Sequence, residues 1–216
     1  MKNTYNLTVD RLLDILNFSG FVGHRTIVDG ILTTEIFVKK GLEITFDVNN
    51  ITGDLILIIT SNDIKFNELF KKYHVHQLRL RQAYETASKS SCVSRQVGAL
   101  IVRDDRIISE GYNGTPKGFI NCCDVFNEVV PSHHEWSNIH EIHAEMNSIL
   151  WAARKGISVE GGIMYSTTKP CLQCTKNIIA SGINEIYFCE HYPRNDNDIL
   201  DKFLNENGVL CKQIKL

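Results

Sequence analysis

Two short stretches of the chain hold side chains whose type and spacing suit a metal. In Pro170-Cys171-Leu172-Gln173-Cys174, two cysteines stand three positions apart behind a proline, where a helix is expected to begin, so both thiols share one helical face. The positive end of the helix dipole favours the thiolate form there. In His143-Ala144-Glu145, a histidine precedes a glutamate by two positions at the expected start of another helix. Two thiolates and one imidazole give Zn²⁺ three protein ligands and leave a fourth tetrahedral position open, the arrangement of a catalytic site. Glu145 is then placed to move the proton of a water at that position.

A lone C-x-x-C also suits a redox pair or half of a structural zinc ribbon. The combination, H-x-E followed by P-C-x-x-C, is the signature of zinc deaminases, in which the glutamate is acid and base and not a ligand. A zinc protease would instead need H-E-x-x-H on one helix. The implied chemistry is hydrolytic deamination of an amino-heterocycle. The catalytic zinc ligands expected are His143, Cys171 and Cys174, with Glu145 carrying the proton.

The totals set the frame for that chemistry. With 216 residues, 43% of them hydrophobic, the chain is long enough for one ordinary globular domain and a small addition. A net charge of −2 argues against a surface built to neutralise a polynucleotide, so a small-molecule partner is expected and no nucleic acid. No signal-like amino terminus and no membrane-length apolar run appear, so a soluble cytoplasmic protein without membrane contact is expected. All seven cysteines follow residue 90, and an odd number of them fits metal binding better than a disulfide frame.

The uneven cysteine distribution divides the chain into a small α+β unit, residues 1–74, of unknown role, and a catalytic domain, residues 75–216. In the first part, Val9, Leu12, Leu13 and Leu16 fall at helical spacing after a candidate cap, Thr8. Three β-rich runs, 31–38, 42–48 and 54–60, follow, with turns expected at Lys40-Gly41 and at 49–54, and then a short helix over 62–73. In the second part a helix is expected over 76–90. Strands are expected over 97–104, 106–112, 162–168, 183–190 and 209–216, and helices over 141–156, 171–182 and 196–208. In 141–156 the apolar stripe is Ile142, Met146, Ile149, Leu150 and Ala153, closed by Gly156 as a cap. Strands alternating with helices imply a layered α/β fold.

The segments "VGALIV", "GYNGTPKG", "NCCD", "HEWSNIHEIHAEMNSILWAARKG", "MYSTTKPCLQC" and "SGINEIYFCEHY" resemble the deoxycytidylate (dCMP) deaminase family, above all its phage members, over about residues 76–216. The resemblance implies a cytidine-deaminase-like, three-layer α/β fold with a five-stranded mixed sheet, a homo-hexamer, and hydrolysis of dCMP to dUMP and ammonia for thymidylate synthesis. It also implies a second, structural Zn²⁺ on Cys92, Cys122, His133 and Glu141, for which Cys123 and His134 stand as neighbouring alternatives. Asn113 would meet the deoxyribose and Ala144 the base. Tyr165 and Tyr192 are candidates for lining the nucleotide pocket. An allosteric site for dCTP as activator and dTTP as inhibitor would involve Gly111, Tyr112, Gly114 and Arg154. Residues 1–74 match nothing in the family. Competing readings are a bifunctional dCMP/dCTP deaminase, a deaminase of a modified cytosine nucleotide, and a non-catalytic zinc scaffold whose first part binds a partner. A structural site has no need of Glu145 beside an open metal position, which tells against the scaffold.

Overall fold

The computed structural model describes residues 9–29, 32–39, 42–49, 55–59, 63–193 and 197–216. The chain forms two compact units, Met1–Val75 and His76–Leu216. The cap expected at Thr8 and the turns expected at Lys40-Gly41 and 50–54 lie outside the described residues.

In the first unit, helix α1 (Val9–Phe18) is followed by strands β1 (Val22–Asp29), β2 (Leu32–Lys39), β3 (Leu42–Asn49) and β4 (Leu55–Ile59), paired in that order as an antiparallel meander. Leu12, Ile15 and Leu16 of α1 are fully buried; Leu12 and Leu16 belong to the expected stripe, whereas Leu13, also expected there, is half-buried and Ile15 joins the buried face. Phe37, Ile44 and Phe46 are buried from the sheet, with the Phe37 and Phe46 rings stacked 5.8 Å apart. β1 is a fourth strand where three β-rich runs were expected. Its sequence, VGHRTIVD, mixes polar residues among the apolar ones and shows only broken alternation.

Helix α2 (Asp63–Ala87) replaces two separate expected helices with one of 25 residues. No glycine or proline interrupts Lys71 to Gln77, so nothing in the local chemistry stops the helix there. Beyond it run β5 (Gly98–Arg103), β6 (Arg106–Tyr112), α3 (Cys122–Val125), α4 (His133–His140), α5 (Ala144–Arg154), β7 (Ile163–Thr168), α6 (Leu172–Ala180), β8 (Glu185–Glu190), α7 (Asn197–Glu206) and β9 (Leu210–Gln213). No described helix is long and apolar enough to cross a membrane.

The five strands of the second unit form one mixed sheet in the order β6-β5-β7-β8-β9. β5 pairs antiparallel with β6 and β7, while β7, β8 and β9 run parallel. Parallel neighbours need crossovers, and α6 and α7 supply them. Period-two alternation divides the sheet into two buried faces. Ala99, Ile101, Met164 and Ile186 pack with Ala144, Ala152, Cys174, Ile178, Leu200 and Leu204 of α5, α6 and α7. Leu100, Tyr165 and Tyr187, aligned across β5, β7 and β8, form the other face. The five-stranded sheet with helices on both faces is the fold the resemblance implies.

One expectation about α5 is corrected. Its buried residues are Ala144, Glu145, Ser148 and Ala152, and Leu150, predicted to lie inward, is exposed. The reason is close approach. A Cβ at Gly111 on β6 would sit 2.4 Å from both the Ala144 carbonyl oxygen and the Ser148 nitrogen, so only small side chains fit between this helix and the sheet. The predicted glycine stop is found, with Gly156 at φ +65° just beyond the helix.

Candidate active site

Three chain segments meet at the ends of β6, β7 and β8. β6 leads through Asn113 to Gly114, whose backbone pairs in both directions with Ile142, at 3.1 and 2.8 Å, and so fixes the approach to His143. His143 and Cys171 are the N-cap residues of α5 and α6, both with extended backbone, and their carbonyls accept the first helical bonds from Asn147 and Thr175, each at 2.9 Å. Lys169, just before Pro170, donates its backbone N–H to the Glu190 carbonyl at 2.7 Å, which ties the end of β7 to the end of β8.

These supports bring His143, Cys171 and Cys174 together, their donor atoms mutually within 4.8 Å. His143 Nδ1 lies 3.6 Å from Cys171 Sγ and 3.3 Å from Cys174 Sγ. Ordinary zinc–sulfur and zinc–nitrogen bonds at a tetrahedral angle set sulfur and nitrogen about 3.5 Å apart, so this donor set fits zinc. The charges fit as well. A hydrogen bond from Cys174, reinforced by His143, holds the Cys171 thiol down to about 4. The bond to Cys171 raises the His143 imidazole to about 9, and the same Cys171 thiolate raises the Cys174 thiol.

Glu145, in the first turn of α5, is 4% exposed. Burial raises its carboxyl above the usual range, and the positive charge of His143 opposes that rise. Ser166 Oγ stands 3.4 Å from Glu145 Oε1, and both residues are buried. Sequence reasoning passes over Ser166, although its alternation with Met164 on β7 places it on the face toward α5.

A second cluster joins Cys92, Cys122 and His133, all buried. His133 Nε2 lies 3.5 Å from Cys92 Sγ and 3.1 Å from Cys122 Sγ, distances that again fit ligands of one zinc ion. Cys123 is exposed and His134 approaches Asn138 at 3.3 Å, so neither alternative joins the cluster. Glu141 lies outside the three-donor group, yet its Oε1 is buried without a hydrogen-bond partner among the described residues. The Cys122 thiol is pushed up to about 11, chiefly by burial, with the charges of Cys92 and Glu141 adding to the rise. The Glu141 charge also contributes to raising His143, after the Cys171 bond.

The remaining expected residues divide. Asn113 is buried, its Oδ1 accepting the Val97 N–H at 2.8 Å and its Nδ2 donating to the Arg95 carbonyl at 3.0 Å. Ala144 is fully buried. Tyr192 is half-buried beneath the Arg95 guanidinium, while Tyr112 and Arg154 are exposed. Two expectations are corrected. Tyr165 is placed by the strand pleat on the face opposite Ser166 and Glu145, where its hydroxyl meets His76 Nδ1 at 2.8 Å, so it does not line the pocket. Gly111 is buried against α5 and has no free surface for an effector.

The profile of the cytidine and deoxycytidylate deaminase zinc-binding region matches residues 74–190, more than half of the chain. The chain belongs to this deaminase family. The deoxycytidylate deaminase of Enterobacteria phage T4 is 39% identical over 150 residues, covering 54% of this chain and 78% of that one. The deoxycytidylate deaminase of Saccharomyces cerevisiae is 32% identical over 171 residues, covering 77% of this chain and 52% of the yeast one. The crystal structure of dCMP deaminase from the cyanophage S-TIM5 in complex with dCMP and dUMP superposes with a TM-score of 0.52 at 26% identity, covering 71% of this chain and 99% of that one.

Proposed function

We propose that the chain is a zinc-dependent dCMP deaminase, converting dCMP to dUMP and ammonia, with catalysis carried by residues 75–216. The observation that carries the reading is the open three-donor set of His143, Cys171 and Cys174 with the buried Glu145 carboxyl two residues from the histidine. Zinc bound there supplies Lewis acidity that brings a water near ionisation at neutral pH. Glu145 takes one proton of the attacking water, passes it to the ring nitrogen beside the amine-bearing carbon, and then relays the remaining proton of the added hydroxyl to the departing amine, so that the carbonyl forms as ammonia leaves. Its burial favours the protonated form that donates in the second and third of these transfers. Asn113 holds the loop bearing Arg95 to the end of β6, where the sugar of the substrate would lie, and Tyr192 flanks the nucleotide.

The same reading assigns Cys92, Cys122 and His133, with the orphaned carboxylate oxygen of Glu141, to a structural zinc that anchors residues 115–140. The family resemblance noted in the sequence extends it to a homo-hexamer, control by dCTP and dTTP through Tyr112, Gly114 and Arg154, and action in the host cytoplasm. No role is assigned to the small α+β unit, residues 1–74.

Ammonia release by the zinc-loaded protein from dCMP, dCTP and deoxycytidine, each with and without dCTP or dTTP as effector, with a non-hydrolysable dCTP analogue as effector where dCTP is itself the substrate, tests the proposal. Turnover of dCMP is expected. Glu145→Gln should keep zinc and lower kcat by at least about 10²- to 10⁴-fold. A protein that binds zinc and turns over no cytosine nucleotide would instead be the scaffold.

A further inference from the structure

Ser166 lies on β7, the middle strand of the five-stranded sheet, paired with Ala99 of β5 on one side and Phe188 of β8 on the other. A side chain at such a position has a backbone fixed by two ladders, and this one is fully buried. Its hydroxyl stands 3.4 Å from Glu145 Oε1 and has no other hydrogen-bond partner among the described residues. The contact joins the two stretches that carry the chemistry, because Glu145 follows His143 by two residues and β7 runs on into Cys171.

A hydroxyl buried without a partner is costly, so the Ser166 proton is directed at this carboxyl oxygen. The separation is long for an O–H···O bond, as catalytic hydrogen bonds often are before substrate draws them in. The Cys174 thiol also bonds the Glu145 carboxyl, but a cysteine that ligates a metal has given up its proton and cannot donate. The Ser166 hydroxyl keeps its proton throughout. A donor on Oε1 restrains the carboxyl and leaves Oε2 to carry the transferred proton, since the unprotonated oxygen of a carboxylic acid is the better acceptor. We infer that Ser166 is a positioning residue for the deamination: its hydroxyl donates to Glu145 Oε1, holds the carboxyl in one orientation through each transfer and assigns the proton to Oε2. The inference rests on the deaminase reading above and deepens it.

The test is steady-state ammonia release from dCMP by the zinc-loaded wild type, Ser166→Ala and Ser166→Thr, with zinc content measured on each. Ser166→Ala should hold zinc as the wild type does, keep KM for dCMP within about twofold and lower kcat by about 10- to 100-fold. Ser166→Thr, which retains a hydroxyl on the same carbon, should recover part of the loss. In urea unfolding, the midpoint shifts of Ser166→Ala and Glu145→Ala should fail to add in the double variant, because each removes the same contact. A Ser166→Ala kcat within about threefold of wild type, a loss that falls on KM instead of kcat, a zinc-loaded Ser166→Thr no faster than Ser166→Ala, or additive unfolding shifts overturns the assignment. A wild type without turnover of dCMP fails the deaminase reading itself and this role with it, whereas a wild type that turns dCMP over beside an equally fast Ser166→Ala refutes the positioning role alone.

Discussion

Gly111→Ala is the substitution that most directly couples packing to chemistry. The added Cβ would lie 2.4 Å from the Ala144 carbonyl oxygen and from the Ser148 nitrogen, and 3.0 Å from the Asn147 carbonyl carbon. All three are backbone atoms of α5, so no side-chain rotation relieves the contact. Reaching an ordinary separation of 3.4 Å requires the helix and strand to part by about 1 Å, the scale of misplacement that costs about 10²-fold in rate. Glu145 follows Ala144 directly, so its carboxyl moves with the clash. The strain should lower stability by about 1–3 kcal/mol. Steady-state ammonia release and urea unfolding of the purified variant read the two effects together. A kcat within threefold of wild type, with unchanged stability, would refute the close-approach argument. A variant with normal basal turnover that had lost only its response to dCTP or dTTP would instead restore Gly111 as an effector contact.

Zinc uptake by the metal-free protein should strengthen as pH rises through neutrality. His143, raised to about 9 by its bond to Cys171, and Cys174, whose thiol that same thiolate raises, must each release a proton to bind metal, whereas Cys171, held down to about 4, is already a thiolate. Competition titrations with a zinc chelator at pH 6.5 and pH 8 should show tighter binding at the higher value. Asn113→Ala strips partners from the Val97 N–H and the Arg95 carbonyl and should cost about 2–4 kcal/mol in urea unfolding. Tyr165→Phe removes the bond to His76 on the far face of the sheet, so it should cost about 1 kcal/mol while KM for dCMP stays unchanged; a large KM effect would return Tyr165 to the pocket.

The donors proposed to hold zinc and the proposed acid/base residue are readable from sequence because their chemistry is tied to local position. His143 and Cys171 stand at helix N-caps, Cys174 three residues later, and Glu145 in a first turn, all within short segments whose helices announce themselves. The alternating strands and helices of the second unit are legible for a related reason, since each buried element carries its own period. What depends on distant contacts is not written locally. Nothing between Lys71 and Gln77 says whether one helix or two forms there, and the polar β1 is held by its pairing with β2. The choice of Cys122 over Cys123, and of His133 over His134, is decided by which side chain points inward. Tyr165 and Ser166 are adjacent in sequence, but the pleat sends one to α2 and the other to Glu145. The face α5 turns to the sheet follows from the missing side chain at Gly111, a residue on another element. Sequence determined which donors the chain has to offer a metal, because that is a matter of side-chain chemistry at fixed spacing. Only the tertiary structure decided which of them meet, because packing selects one face of every helix and strand.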